Sequence, residues 1–486
     1  MGKQYYRQTT VLSLGLAAFL LGLVCARRVS CPDGPVMVLL LLCLTPLLLL
    51  RTKLSLLSIV IIGLGLGCWR GTQYARQLLP YSNLAKQKVT IHSVALSDAV
   101  YTDKAQLGFD VGQVQLVTPL YQKLPGSIKV QGYGEPMIYR GDRLQITAML
   151  YPSRGSRQAS MSFAKVTRLQ TNDSLLQNLR RRFSSAVLSS LPEPHGSFAL
   201  GVLIGQRTSL PTEFEEQLSV VGLTHIVAVS GYNLTILIHT ARRLLRQHSK
   251  YQATCIMAAL VTVFVVITGG SASIVRATIV SGLSIWAWYY GRQFKPLVII
   301  LLAAAATAGW APTYIWSDIG WYLSFLAFAG VLILAPLLEG RFCANPPKLV
   351  GQLLLETLAA QLMTLPLIMF IFGRVSAIAV LVNMMVVPTI PIIMATSFFA
   401  GVMSMLVPGL PGWFAVPTLF VMTYVVDIVR VLASLPIAKT HAFMQVWQVA
   451  TIYTLLFFLF VVLWRKAPKN GRIQGVKRPT LSEPVL

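Results

Sequence analysis

The sequence predicts a polytopic α-helical membrane protein with one small β-barrel domain inserted near its N-terminus, and three observations predict it. Of 486 residues, 55% are apolar and only 12% charged, too little charge to clothe a soluble domain of this length. Between Ala253 and Trp464 the only acids are Asp318, Glu339, Glu356 and Asp427. A chain so depleted faces lipid, where backbone groups must pair within each helix. From about Pro80 to Arg168 the character changes to short alternating runs bounded by Gly, Pro and Asp, which read as strands.

Residues 1–70 hold three apolar runs, Val11–Ala26, Val36–Leu50 and Leu54–Cys68, each near the lower limit of ~17 residues for a full span. The first follows Lys3 and Arg7 but has no clean small-residue cleavage site, so it reads as a retained helix. The first two are expected to pack as a tight hairpin around Arg27 and Arg28. With the N-terminus inside, three crossings place the next segment outside the cytoplasm.

Residues 80–170 contain runs Lys88–Val94, Phe109–Val117, Ser127–Val130 and Leu144–Leu150. Five or so strands in this length suit an OB-like barrel. The stretch from Pro80 to Arg168 carries 11 Lys and Arg against five acids, a basic surface of the kind that tracks a polyanion. Residues 172–192 read as an amphipathic helix, with Leu175, Leu176, Leu179, Phe183, Val187 and Leu188 against Arg180, Arg181 and Arg182. Two roles suit it, a helix along the lipid headgroups or a plain connector.

Residues 195–464 form the main helical domain. Its apolar segments run Cys255–Ile267, Ala277–Tyr290, Leu297–Trp310, Leu323–Leu338, Leu353–Phe372, Val375–Leu406, Phe414–Leu435 and Val446–Trp464. Pro366, Pro388, Pro391 and Pro417 interrupt them, and such breaks are tolerated where protein or a watery cavity satisfies the freed backbone. The tail, 465–486, holds six basic residues and one acid, so it is expected to be disordered and cytoplasmic.

The whole chain carries 41 Lys and Arg against 16 acids, a formal charge of +25. Cytoplasmic loops obeying the positive-inside rule account for such an excess, and so does a polyanionic substrate. The six cysteines, Cys25, Cys31, Cys43, Cys68, Cys255 and Cys343, make no CxxC pair. Their spacing predicts neither a disulfide framework nor a zinc site.

Three motifs carry polar residues at membrane depth, where they are expensive and mark a pathway or a paired polar core. They are LIGQRTS at Leu203–Ser209, GLTHIVAVSGYN at Gly222–Asn233 and GGSASIVRAT at Gly269–Thr278. In this order they resemble the competence domain of the ComEC family of DNA-uptake channels, whose pattern is G-x-R-x-x-L, then G-L-x-H-x-x-A-x-S-G, then a Gly/Ser-rich loop ending in R-A. The resemblance continues through Asp318–Phe328 (DIGWYLSFLAF) and through Gln361, Leu365–Pro366, Phe372–Gly373, Asn383 and Pro388. It covers about residues 195 to 400, and the β-rich segment sits where that family carries an extracellular OB domain.

The resemblance implies a membrane channel importing single-stranded DNA during natural transformation, with no catalytic residue, metal or cofactor of its own. It makes His225, Ser230, Arg276, Asp318, Gln361 and Asn383 candidates for the channel lining or for a polar core bracing the helices. Bracing is the expectation for His225 and Asp318, and lining for Arg276, whose guanidinium suits a phosphate. Lys129, Arg140, Arg143 and Arg207 are candidate DNA contacts. Implied partners are single-stranded DNA, the bilayer, a separate DNA receptor, a cytoplasmic ATP-driven motor and a separate nuclease. The β-domain is expected outside a multi-pass cytoplasmic membrane protein.

Two departures from the family pattern stand out. Tyr232 and Asn233 replace the L-H that often follows S-G, so a second histidine is missing. No HxHxDH run of a metallo-β-lactamase-like domain is present, and no GxxxxGK[ST] phosphate loop. Two rival readings remain at this point. A permease for another anionic solute also uses proline-broken helices. An intramembrane serine protease would pair Ser230 with His225, although Ala228 occupies the position where such sites usually carry glycine.

Overall fold

The computed structural model describes residues 8–29, 53–101, 107–134, 138–152, 157–172, 174–206, 210–227, 244–268, 272–291, 295–342, 349–376, 378–407, 411–438, 440–441 and 443–466. Residues 234, 237–238 and 241–242 are described as well. Among the described residues, seven helices are long and apolar enough to cross a membrane. The expected run Val36–Leu50 and most of the basic tail lie outside the described residues.

Helix α1 (Gln8–Cys25) and helix α2 (Lys53–Asn83) run parallel. A Cβ on Gly63 would meet Gly15 and Ala18, one on Gly67 would meet Phe19 and Leu23, and one on Gly71 would meet Ala26. The contacts advance together along both helices, so their C-terminal ends lie on the same side. Glycine every fourth residue opens a groove into which the other backbone drops, the usual device where lipid removes any hydrophobic drive for association. At Gly67 a Cβ would lie 2.1 Å from the Phe19 carbonyl oxygen. Gly67→Leu is therefore expected to cost about 3 kcal/mol by overpacking. A thermal melt of the purified protein unchanged from wild type would count against this close approach.

Helix α2 is about 46 Å long at 1.5 Å per residue, more than a ~30 Å hydrocarbon core requires. Its last turns carry Tyr81 into the core of the β-domain, with Leu78 packed against that core. Cys68, on this stem, is disulfide-bonded, which corrects the expectation drawn from cysteine spacing. Its partner lies outside the described residues. Spacing rules detect local pairs only, whereas folding can join cysteines that are distant along the chain.

The β-domain is one seven-stranded sheet. Its strands are β1 (Lys88–Ala95), β2 (Val100–Tyr101), β3 (Leu107–Thr118), β4 (Gln122–Lys123), β5 (Ser127–Gly134), β6 (Arg143–Pro152) and β7 (Ala159–Gln170). The order is β1-β6-β7-β5-β3-β2, with β4 on β3, and β1 pairs β3 as well as β6. Among the described pairings, only β5 and β7 run parallel. Strict alternation along β6 buries Leu144, Ile146, Ala148 and Leu150 in a core shared with Ile91, Val111, Ile128, Met161 and Val166. The four predicted strands lie at these places, and β7 is the fifth, which the sequence reading did not delimit.

Helix α3 (Leu175–Ser190) joins the sheet to the bundle, with Ser174 accepting from the Gln177 amide at its N-terminus. Phe183 and Val187 press onto Gly401. Arg180 and Arg181 turn to carboxylates of the β-domain. The connector role is the one observed for these two arginines, since a charge reaching a buried carboxylate is lost to headgroups. Leu175, Leu176 and Leu179 stay exposed.

The bundle follows with α4 (His195–Ile204), α5 (Thr212–Val220), α6 (Thr224–Val227), α7 (Lys250–Thr268), α8 (Ala272–Tyr289), α9 (Pro296–Trp310) and α10 (Thr313–Ser317). Helix α11 (Ile319–Ala329) continues through a π-turn, Gly330–Leu334, into α12 (Ala335–Phe342). Then come α13 (Leu349–Phe372), α14 (Ala379–Val386), α15 (Ile390–Leu406), α16 (Pro411–Ala433) and α17 (Val446–Lys466). The predicted single run Val375–Leu406 divides, because Pro388 and Pro391 cannot donate to the preceding turn; a 3₁₀ turn at Val387–Thr389 separates α14 from α15. Helix α4, ten residues long, spans about 15 Å and is too short to cross. It is buried from Gly196 to Ile204 in a core with Leu218, Val382, Val386 and Val425.

Candidate functional site

Asp318 sits in extended backbone between α10 and α11, and its carboxylate accepts from the Gly320 amide at 2.9 Å. This caps the helix and places negative charge at its positive end. Arg276, from α8, donates through Nη2 to the Gly320 carbonyl at 3.1 Å, and its Nη1 lies 4.0 Å from Asp318 Oδ2. Arg276 is 4% exposed, and its Nε and Nη1 have no hydrogen-bond partner among the described residues. Two of the predicted polar residues thus meet, and their meeting ties the start of α11 to α8.

The ends of several helices nearest the β-domain converge beside this pair. Trp316 donates its indole N–H to the Leu23 carbonyl at 2.8 Å and meets the Tyr74 ring edge-on at 6.0 Å. Arg70 donates to the carbonyls of Gly309 and Trp310 at 2.8 and 3.0 Å. From the β-domain, Gln158 donates to the Tyr74 hydroxyl, and Arg157 pairs with Asp110 at 2.7 Å. Burial depresses the Arg157 guanidinium, but Asp110, Tyr314 and Asp318 together hold it above its ordinary value. The Arg276–Asp318 pair therefore lies where the β-domain meets the bundle.

The other predicted residues are distributed. His225 is exposed on the short α6, and Nδ1 lies 3.1 Å from the Gly222 carbonyl, to which it donates in that tautomer. Gly222 has φ +80, and a Cβ there would lie 2.8 Å from Ala379 Cβ, so the His225 turn packs against the start of α14. Asn383, on α14, is 6% exposed, and its Oδ1 has no partner among the described residues. Gln361 is half-buried on α13, just past Ala359 and Ala360, which press on Gly330 of the π-turn. Ser230 lies outside the described residues.

Residues 202–466, more than half the chain and nearly all of this bundle, match the Competence protein family. The chain belongs to that family. ComE operon protein 3 of Bacillus subtilis (strain 168) is 23% identical over 228 residues, which is 46% of this chain and 29% of that protein. The match thus spans under a third of that relative's length. No solved structure matches.

In this competence-family chain the β-domain precedes the matched region, and its candidate contacts do not form one patch. Lys129 is exposed and stands opposite Ser160, which pairs with Tyr151 near the end of β6. Arg143, also exposed, opens β6 at the other end, opposite Val94 and Gln170. Arg140 is half-buried, and its amide donates to Asp98 at 3.0 Å. Burial and then the Arg180 charge pull its guanidinium below the ordinary value, against a smaller pull from Asp98. Arg207 lies outside the described residues.

Sequence reasoning missed the node around Asp98 and Asp142. Asp142 is fully buried and accepts from the amides of Tyr139 and Asn172, each at 3.0 Å. Arg181 approaches it at 3.6 Å and Arg168 at 4.0 Å, while Arg180 pairs with Asp98 at 2.9 Å. Arg181 also lies 4.5 Å over the Tyr139 ring. The available signal was Gly141–Asp142, a turn dipeptide followed by a strand.

Proposed function

We propose that this protein is a membrane channel for import of single-stranded DNA in natural transformation, a conduit and not an enzyme. The observation that carries the reading is that the competence-family match falls on the helical bundle, to which a basic β-domain is fastened. In this reading the sheet is an OB-like domain: β1 pairs both β6 and β3, and β5 runs parallel to β7, which suits that Greek-key arrangement. The strand would pass from it to the bundle, with Arg276, Asp318, His225, Ser230, Gln361 and Asn383 as polar core or lining. A DNA receptor, an ATP-driven motor and a nuclease would be separate partners.

We place the β-domain outside the cytoplasm and the C-terminal end inside. Trp310 and Asp318 lie beside the β-domain, so α9 starts and α12 ends on the opposite face, with Lys295 and Arg341. Arg242, Arg246 and Lys250 precede α7 on that same face, and Arg465 closes α17 there. These residues are what the positive-inside rule expects of a cytoplasmic side, while Arg27 and Arg70 at the β-domain's end are engaged by the carbonyls of Trp316, Gly309 and Trp310. The Cys68 disulfide, on the β-domain's side, fits an oxidising compartment.

The test is uptake of fluorescently labelled DNA by cells lacking the gene. DNA retained at the surface and absent from the cytoplasm is the expected result. Undiminished import, with no second copy of the gene present, would overturn the reading and leave the anionic-solute permease in its place.

A further inference from the structure

Strand β7 bulges between Met161 and Ala164. Its pairing with β5 slips between Val130 and Gly132, and its pairing with β6 slips between Thr147 and Met149. Gly132 admits the bulge, since a Cβ there would lie 2.0 Å from the Ala164 carbonyl oxygen. Phe163, at the bulge, takes φ +53 with 78% of its surface exposed. A bulky L-residue avoids that backbone region, and the core is filled by Met161 and Ala164 on either side. Backbone strain that holds an aromatic ring out in solvent, where packing does not reward it, points to a task for the ring.

The surroundings say which task. Tyr133 on β5, 51% exposed, stands opposite Lys165 of β7, which is exposed and opposite Thr147 of β6. Phe163 precedes Lys165 by two residues, on the strand that pairs with Tyr133. Lys129 extends the same face of β5. Strands β5, β6 and β7 contain no Asp or Glu, and Asp110, across from Lys129, is neutralised by Arg157 at 2.7 Å.

We propose that Phe163 and Tyr133, flanked by Lys165 and Lys129, form a base-stacking platform for a single-stranded polynucleotide on the β-domain. The proposal rests on the channel reading above and deepens it. Every base offers a π-face and every linkage a negative charge, so rings set between lysines grip a strand whatever its sequence. The expected contact is thus centred on the bulge of β7. Of the four basic residues singled out from sequence, only Lys129 belongs to it.

The full-length protein in lipid nanodiscs would be titrated against fluorescein-labelled oligo(dT) and followed by anisotropy. Phe163→Ala and Tyr133→Ala are each expected to weaken binding roughly five-fold or more, and Phe163→Trp to keep it. Phe163→Gly should lose affinity as the alanine variant does, yet melt no lower than wild type, because glycine accepts the left-handed φ. That pairing separates a lost ring from a lost fold. Wild-type binding with undiminished affinity in both alanine variants would overturn the platform and leave the channel reading standing, with the face assigned to lipid headgroups. A wild type that binds no oligo(dT) would overturn both.

Discussion

Asp142→Ala is expected to destabilise the β-domain by roughly 3–5 kcal/mol, the usual cost of removing one partner from a buried charged group. The carboxylate is fully buried and accepts two backbone amides, from Tyr139 and Asn172. Its removal orphans both donors and leaves Arg181 and Arg168 without their counter-charge. Because Asn172 leads into α3, the loss should also loosen the strut between sheet and bundle. Asp142→Asn keeps one acceptor oxygen and should fall between. Limited proteolysis of the purified protein, read at α3, is the measurement. Cleavage no faster than wild type in the alanine variant would show that the node is dispensable.

Arg276→Ala is expected to deplete folded protein, by a comparable 3–5 kcal/mol. Sequence alone suggested a lining residue. The structure puts Arg276 4% exposed, bonded to the Gly320 carbonyl and 4.0 Å from Asp318. Without it, Asp318 keeps its capping amide and the more distant Arg157 charge but loses the guanidinium 4.0 Å away. A double variant, Arg276→Gln with Asp318→Asn, removes both charges and should recover abundance. DNA import by that double variant then separates the two roles. Recovered protein with normal import means Arg276 braces the bundle, and recovered protein without import means its charge serves the strand. Full abundance of the single Arg276→Ala variant would sink the bracing account.

Much of this molecule is legible in its sequence. The four strand cores from Lys88 to Leu150 were legible because a half-buried strand repeats every second residue. The apolar segments of the bundle were legible because lipid excludes charge over long runs. The motif order from Leu203 to Pro388 pointed to the competence family, which the match over residues 202–466 establishes. Strand β7 was harder, since its bulge at Phe163 breaks the alternation that would have announced it.

The sequence by itself determined which segments enter lipid, which form the sheet, and the family. Each of these follows from local composition, period or motif. Only the tertiary structure decided that α1 and α2 run parallel through Gly63, Gly67 and Gly71. It alone paired Arg180 with Asp98 and Arg181 with Asp142, and set Arg276 against Asp318. It also put Phe163 on an open face beside Tyr133. In each case the partners are distant along the chain, and a charge or a ring takes its meaning from the group that folding brings within a few ångströms.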